Sequence, residues 1–235
     1  MYNDAYSSQQ RMDMQAGLNA YISKVFGTMF LGLLVTAAAA LFTVSSPTMI
    51  NLLYGKSLML VFLAAELIIV FSLSFRINKL SYATTQVMFY VYAIVNGVTL
   101  SSIFLAYELG TVYTAFFTAA ICFGVMAIYG MVTKKDLTAI GSIFTMLLLG
   151  VIVASVINMF LRNQTFDLVI SFIAVALFVG LVAYDTQKLK SYYYLSMNDY
   201  QMQRKIGIMG ALSLYLDFIN IFLQLLRIFG NNRRD

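Results

Sequence analysis

Seven long apolar runs, separated by short polar connections, set the plan of this chain. They fall at roughly 24–44, 57–75, 82–106, 111–132, 137–161, 166–187 and 206–229. Each is long enough to cross about 30 Å of hydrocarbon as an α-helix. A bilayer offers backbone polar groups no solvent partner, so helix is the structure such runs adopt. The pattern predicts an all-α polytopic membrane protein in three parts: a polar N-terminal tail at 1–23, a seven-helix transmembrane domain at 24–230 and a short C-terminal tail at 231–235. The single proline, Pro47, falls in the first loop, so the predicted spans are mostly unbroken.

The last run differs from the others. Ser213, Asp217, Asn220, Gln224 and Arg227 follow one another at steps of 4, 3, 4 and 3, which places all five on one helical face. A carboxylate in hydrocarbon costs roughly 2.5–3.5 kcal/mol on insertion scales. It is tolerated where it faces a bundle interior, a water-filled path or a partner. This helix is therefore expected inside the bundle, with Asp217 the leading functional candidate.

Composition sharpens the class. Hydrophobic residues make up 61% and charged residues 11% of the chain, and the mean hydropathy is +0.82; a soluble domain carries about 25% charged residues. One cysteine, Cys122, excludes an internal disulfide and a multi-cysteine metal site. There is no histidine, which excludes histidine catalysis, haem ligation by histidine and the usual pH switch. Proton sensing must then use carboxylates. There is no tryptophan, so any interfacial aromatic belt falls to the 16 tyrosines, and the triplet Tyr192-Tyr193-Tyr194 reads as such an anchor. The first segment lacks the basic-then-apolar order of a cleaved signal.

Lysine and arginine set the orientation. Arg11 and Lys24, Arg76 and Lys79, Lys134 and Lys135, and Lys188, Lys190, Arg204 and Lys205 lie on one side, against Lys56 and Arg162 on the other. Ten against two predicts a cytoplasmic N-terminus. Arg227, Arg233 and Arg234 at the C-terminal end run against this bias. Either the earlier spans dominate or the last segment re-enters, and seven full spans are the favoured reading. No internal repeat is evident, so an inverted-repeat transporter is not supported.

Of ten acidic residues, seven fall in tails or loops: Asp4, Asp13, Glu108, Asp136, Asp167, Asp199 and Asp235. Asp217 is mid-span. Asp185, in Ala-Tyr-Asp-Thr-Gln-Lys-Leu, closes the sixth span, and its plain alternative is an interfacial pair with Lys188 at i+3. Glu66 lies at mid-depth in the second span, as a functional acid or a packing contact. Arg76 closes that span, as a flanking charge or as the ion-pair partner of a carboxylate at the depth of Asp185. The stretch Asn96-Gly97-Val98-Thr99-Leu100-Ser101-Ser102 suits close helix packing, with a pore lining or hinge as the alternative.

The stretches Gly97-Val98-Thr99-Leu100-Ser101-Ser102-Ile103-Phe104, Ala183-Tyr184-Asp185-Thr186-Gln187-Lys188-Leu189 and Leu214-Tyr215-Leu216-Asp217-Phe218-Ile219-Asn220 resemble the Bax inhibitor-1 family. The C-terminal Leu225-Leu226-Arg227-Ile228-Phe229-Gly230-Asn231 resembles its bacterial inner-membrane members. The resemblance runs from about Ala20 to the C-terminus. It implies a seven-helix fold with the last helix surrounded by the other six. It also implies a pH-sensitive calcium leak gated by an aspartate pair that maps onto Asp185 and Asp217. Arg76 is implied as a latch on Asp185, and Glu66 matches a family acid. The connection at 186–205 reads as a long loop.

On that basis the expected gating residues are Asp185, Asp217 and Arg76. The expected ion path holds Glu66, Asn220, Ser213, Gln224 and Thr99, with Asp217, Asp185 and Glu66 as transient Ca²⁺ ligands, calcium being a hard cation that takes oxygen. Two aspartates in one apolar site do not both ionise cheaply, so a proton is held between them and leaves as the pH rises. Neither an enzymatic activity nor a resident cofactor is expected; the partners are the lipid bilayer, calcium ions and protons, and no nucleic acid. The rival is a non-conducting regulator that binds a membrane protease or other membrane proteins, with the tail at 1–20 as its handle. An intramembrane aspartyl protease fits poorly, because Tyr-Leu-Asp replaces the Gly-x-Gly-Asp setting and no Pro-rich motif follows. A retinal receptor fails because the last span has no lysine for a Schiff base.

Overall fold

The computed structural model describes the backbone of residues 2–55 and 58–231, and the side chains of 10–53 and 58–230. Lys56, Asp4, Arg233, Arg234 and Asp235 fall outside the described side chains, as does the tail at 231–235 apart from the backbone of Asn231. All regular structure among the described residues is helical: α1 (Tyr2–Ser45), α2 (Pro47–Ile50), α3 (Met59–Arg76), α4 (Tyr82–Leu100), α5 (Ser102–Ala106), α6 (Leu109–Val132), α7 (Thr138–Leu161), α8 (Gln164–Leu195) and α9 (Tyr200–Asn231). A π-helical turn, Asn51–Gly55, follows α2. Seven of these stretches are long and apolar enough to cross a membrane, with α4 and α5 forming one of them.

Three boundaries depart from the sequence pattern, each for a local reason. The segment read as a polar tail is helical and continuous with the first span. Leu18, Ile22, Val25 and Met29 are all buried, at the 4-3-4 spacing of one helical face, so the inward stripe of α1 begins before its apolar run. The expected long loop at 186–205 is mostly helix. Val182, Thr186, Leu189 and Tyr193 carry the buried face of α8 onward, and only Ser196–Asp199 separates it from α9. Ser196 Oγ donates to Tyr192 O at 2.5 Å, closing α8. Asp199 Oδ1 accepts from Met202 N at 2.9 Å, satisfying an otherwise orphaned donor in the first turn of α9. Tyr193 is therefore core rather than interface: its ring lies 5.6 Å from that of Tyr21 on α1.

The third departure is a break in the third span at Ser101. Ser101 Oγ donates to Val98 O at 2.7 Å and Ser102 Oγ to Thr99 O at 3.0 Å; such back-bonding competes with the helical ladder and bends it. Just before the break, α4 packs on α1. A Cβ on Gly97 would collide with Thr36 O and lie 2.7 Å from Ala39 Cβ, so only glycine allows this approach. The small-residue patch serves packing and a kink.

α9 is the central helix. Of its most apolar window, 61% is buried, against 6% in α3 and in α7. Its close neighbours are α8, α6, α1 and α4, whereas α3 packs on α4 and α7 on α8. The expectation of six surrounding helices thus becomes four in close contact and two one shell out. α3 and α7 present exposed Leu60, Ile68, Phe75, Met146, Val153 and Phe160, as lipid-facing helices do. The contact between α6 and α9 is aromatic, with the exposed Phe116 and the buried Phe123 edge-on to Phe218 at 5.5 and 5.8 Å.

The even-numbered connections are tied together at one end of the bundle. Lys205 Nζ donates to Ile77 O and Leu80 O, both at 3.2 Å. Gln187 accepts from Leu137 N at 2.9 Å and donates to Lys135 O at 2.8 Å, and Lys190 Nζ donates to Met131 O. The basic loops therefore gather on one side. At the opposite end Arg162 closes α7 in the left-handed region, with φ 52°.

Candidate functional site

The polar stripe of α9 faces a cavity of ≈ 590 Å³ between α7, α8 and α9. Ser213, Asp217, Asn220 and Gln224 line it from α9, Asp185 from α8 and Ser155 from α7, with Val151 and Met159 among its apolar walls. Its origin is architectural. α7 packs on α8 without closing on α9, so the polar face of the central helix meets a cleft instead of a packed neighbour.

Asp217 is buried at 6% exposure, and its Oδ2 has no hydrogen-bond partner. Asp185 is half-buried, with Lys188 and Ser213 as the groups facing it. Gln224 Oε1 is also buried without a partner, while Asn220 Nδ2 donates back to Leu216 O at 2.8 Å. The cavity thus gathers two carboxylates, two amide oxygens and two hydroxyls against apolar walls. Hard oxygen donors of this kind suit a hard cation or a proton. Ser155, whose Oγ donates to Val151 O at 2.8 Å, escaped the sequence reading; a hydroxyl in the second half of the run, after the long apolar stretch from Met146 to Ala154, was its signal.

Glu66 and Thr99 do not join this group. Glu66, on α3, faces Asn96 and Thr99 of α4, and its Oε1 has no hydrogen-bond partner. Next to them Tyr215 Oη donates to Asn96 Oδ1 at 2.9 Å and pairs with Thr36 Oγ1 at 2.6 Å, and Thr36 Oγ1 also reaches Ala93 O at 3.0 Å. Tyr215 and Asp217 are two residues apart, about 200° of helical rotation, so this second polar cluster lies on the opposite face of α9. The expected single path with five contributors therefore splits: Ser213, Asn220 and Gln224 accompany the aspartates, whereas Glu66 and Thr99 do not. A three-carboxylate calcium site of Asp217, Asp185 and Glu66 is not assembled.

The Arg76 latch is not made. Arg76 is exposed at the end of α3, and α3 packs on α4 rather than on α8. Sequence depth placed Arg76 level with Asp185 but said nothing of helix order. The cation beside Asp185 is Lys188, which also lies 5.3 Å from the Tyr184 ring and 5.4 Å from that of Tyr192. At the opposite end of the stripe, Arg227 Nη1 lies 3.6 Å from Asp167 Oδ1, with both side chains substantially exposed. Asp167, read as a loop residue, sits in the first turn of α8, where the helix dipole favours an anion.

The chain matches known proteins along most of its length. The family model "Inhibitor of apoptosis-promoting Bax1" matches residues 18–234. The chain is 42% identical over 221 residues to the inner membrane protein YbhL of Escherichia coli (strain K12), covering 93% of this chain and 94% of that protein. It is 40% identical over 217 residues to an uncharacterized protein of Rickettsia prowazekii (strain Madrid E), covering 92% of each. To an uncharacterized protein of Deinococcus radiodurans it is 39% identical over 233 residues, covering 99% and 98%.

Proposed function

From the premise that this chain belongs to the Bax inhibitor-1 family, we propose that it is a pH-sensitive calcium leak of a bacterial inner membrane, gated by Asp185 and Asp217. The observation that carries this reading is that both aspartates open onto one cavity along the polar face of the central helix. In the closed state a proton is shared between the two carboxylates and bridges α8 to α9. Raising the pH removes it; two like charges in an apolar cleft then repel and draw in water, and the contact loosens. Calcium passes along Asp217, Asn220 and Gln224 by transient oxygen ligation, since conduction needs binding weak enough to release.

The role is non-enzymatic and needs no resident cofactor. The N-terminus faces the cytoplasm, on the strength of the ten basic residues gathered at that end. Purified protein in liposomes tests the reading. Calcium entry that rises with pH and needs no partner is the expected result. Liposomes that stay silent at every pH would reject the leak and favour the regulator that binds a membrane protease or another membrane protein.

A further inference from the structure

A second pocket, of ≈ 210 Å³, lies where α1, α4 and α9 meet at the basic end of the bundle. Lys24 and Tyr21 line it from α1, Tyr82 from α4, and Gln203, Arg204 and Gly207 from α9. Lys24 and Tyr82 open their apolar runs and Arg204 lies two residues before the last one, so the pocket sits at the boundary of the hydrocarbon. The Arg204 guanidinium lies 3.6 Å from the centre of the Tyr82 ring and 5.5 Å from that of Tyr200, which fixes its plane by cation–π attraction. Gly207 forms part of the floor: a Cβ there would stand 3.3 Å from Tyr21 Cε2. Among the described residues no acidic side chain lines the pocket. Two of its donors, Arg204 Nε and Tyr21 Oη, are buried without a hydrogen-bond partner. Buried donors are ordinarily satisfied, and unpaired donors beside two cations call for an anionic acceptor.

We propose that this pocket binds the phosphate headgroup of an anionic phospholipid, held by Arg204, Lys24 and Tyr21. Guanidinium and phosphate are matched in charge and geometry. The remaining wall, Val25, Thr28 and Ile208 included, is largely apolar, and with the boundary position this suits a lipid better than a free anion. Basic pockets between membrane helices take headgroups in this way.

Native mass spectrometry of the full-length protein, titrated with phosphatidylglycerol or phosphatidylcholine, tests the proposal. Preferential retention of phosphatidylglycerol is expected. Lys24→Gln and Arg204→Gln should each weaken it about fivefold, the effect of one basic charge at a membrane surface, and Tyr21→Phe should weaken it less. Lys134→Gln/Lys135→Gln, at the same end but outside the pocket, should leave it unchanged. Lys24 is exposed and Tyr21→Phe keeps the ring packing, so these two variants decide the matter if Arg204→Gln does not fold. Wild-type retention in both would overturn the proposal. So would an equal loss in the Lys134/Lys135 variant, which would mean diffuse charge attraction. Displacement of the lipid by millimolar inorganic phosphate would reassign the pocket to a soluble anion and reject the lipid.

Discussion

Asp185 and Asp217 stand on adjacent helices and open onto the same cavity, and Ser213 faces Asp185 from the helix that carries Asp217. A proton held between such a pair is a property of both residues, so removing either carboxylate should abolish the same titration. Asp185→Asn and Asp217→Asn are each expected to flatten the rise of Ca²⁺ flux with pH in proteoliposomes. If flux in both variants still follows pH as in the wild type, the aspartates are not the sensor.

Asp136 supplies the control. It lies in the loop before α7, where the Thr138 hydroxyl and backbone N–H hold its carboxyl below the usual carboxylate range; Thr138 N donates to Asp136 Oδ1 at 2.9 Å. A carboxylate with a depressed folded value contributes above its ordinary titration range. It loses that contribution only as pH falls through the depressed value. Asp136 is therefore fully charged near neutrality. Asp136→Asn should leave the pH–flux curve superimposable on the wild type, and a displaced midpoint would contradict this assignment.

Lys188, not Arg76, is the cation poised to bias the aspartates. Removing a positive charge beside Asp185 disfavours loss of the shared proton, so Lys188→Gln should need a higher pH for the same flux. Arg76→Ala, at an exposed helix end, should shift nothing, in keeping with the small value of surface charges. Each comparison is made in wild-type and Asp185→Asn backgrounds. The Lys188 effect should vanish in the latter, since coupled residues are non-additive; a shift that persists there would place Lys188's influence elsewhere.

How much of this was readable from sequence depends on the range of the interaction concerned. Seven spans and the stripe from Ser213 to Arg227 are intrahelical patterns, and both were legible. So was the Asp185–Lys188 proximity, an i+3 relation on one helix. The helix from Leu189 to Leu195 was obscured because Tyr192-Tyr193-Tyr194 is chemically suited to an interface; only its register with Val182 and Thr186 marks Tyr193 as core. The separation of Glu66 from Asp217, and of Arg76 from Asp185, was not legible. Depth along the membrane follows from position in a span, whereas the lateral order of helices is decided by packing between segments far apart in sequence.

The Tyr215 hydroxyl tests whether the second polar cluster is structural. It bonds to both Asn96 and Thr36 inside a fully packed region, so Tyr215→Phe leaves a buried amide oxygen without that donor. Such a loss costs about 1–3 kcal/mol. The variant should unfold at lower temperature in detergent while keeping the wild-type pH–flux profile. A changed profile with unchanged stability would instead tie this cluster to gating.

Arg227 carries the last step of the polar stripe to the end away from the ten basic residues, and it meets Asp167 there. Because both side chains are exposed, the pair is worth no more than about 1 kcal/mol, so neutralising either residue should scarcely alter stability. Its effect on a divalent cation is another matter. A guanidinium at the mouth of a path repels Ca²⁺, and the neighbouring carboxylate offsets that repulsion. Arg227→Gln is therefore expected to raise Ca²⁺ flux, by a few-fold at low ionic strength, and Asp167→Asn to lower it. Both effects should fade as salt rises toward about 0.15 M, where screening acts over roughly 8 Å. Flux that responds to neither substitution, or a response indifferent to salt, would mean that ions leave the bundle without passing Arg227, and the continuation of the path beyond Gln224 would have to be abandoned.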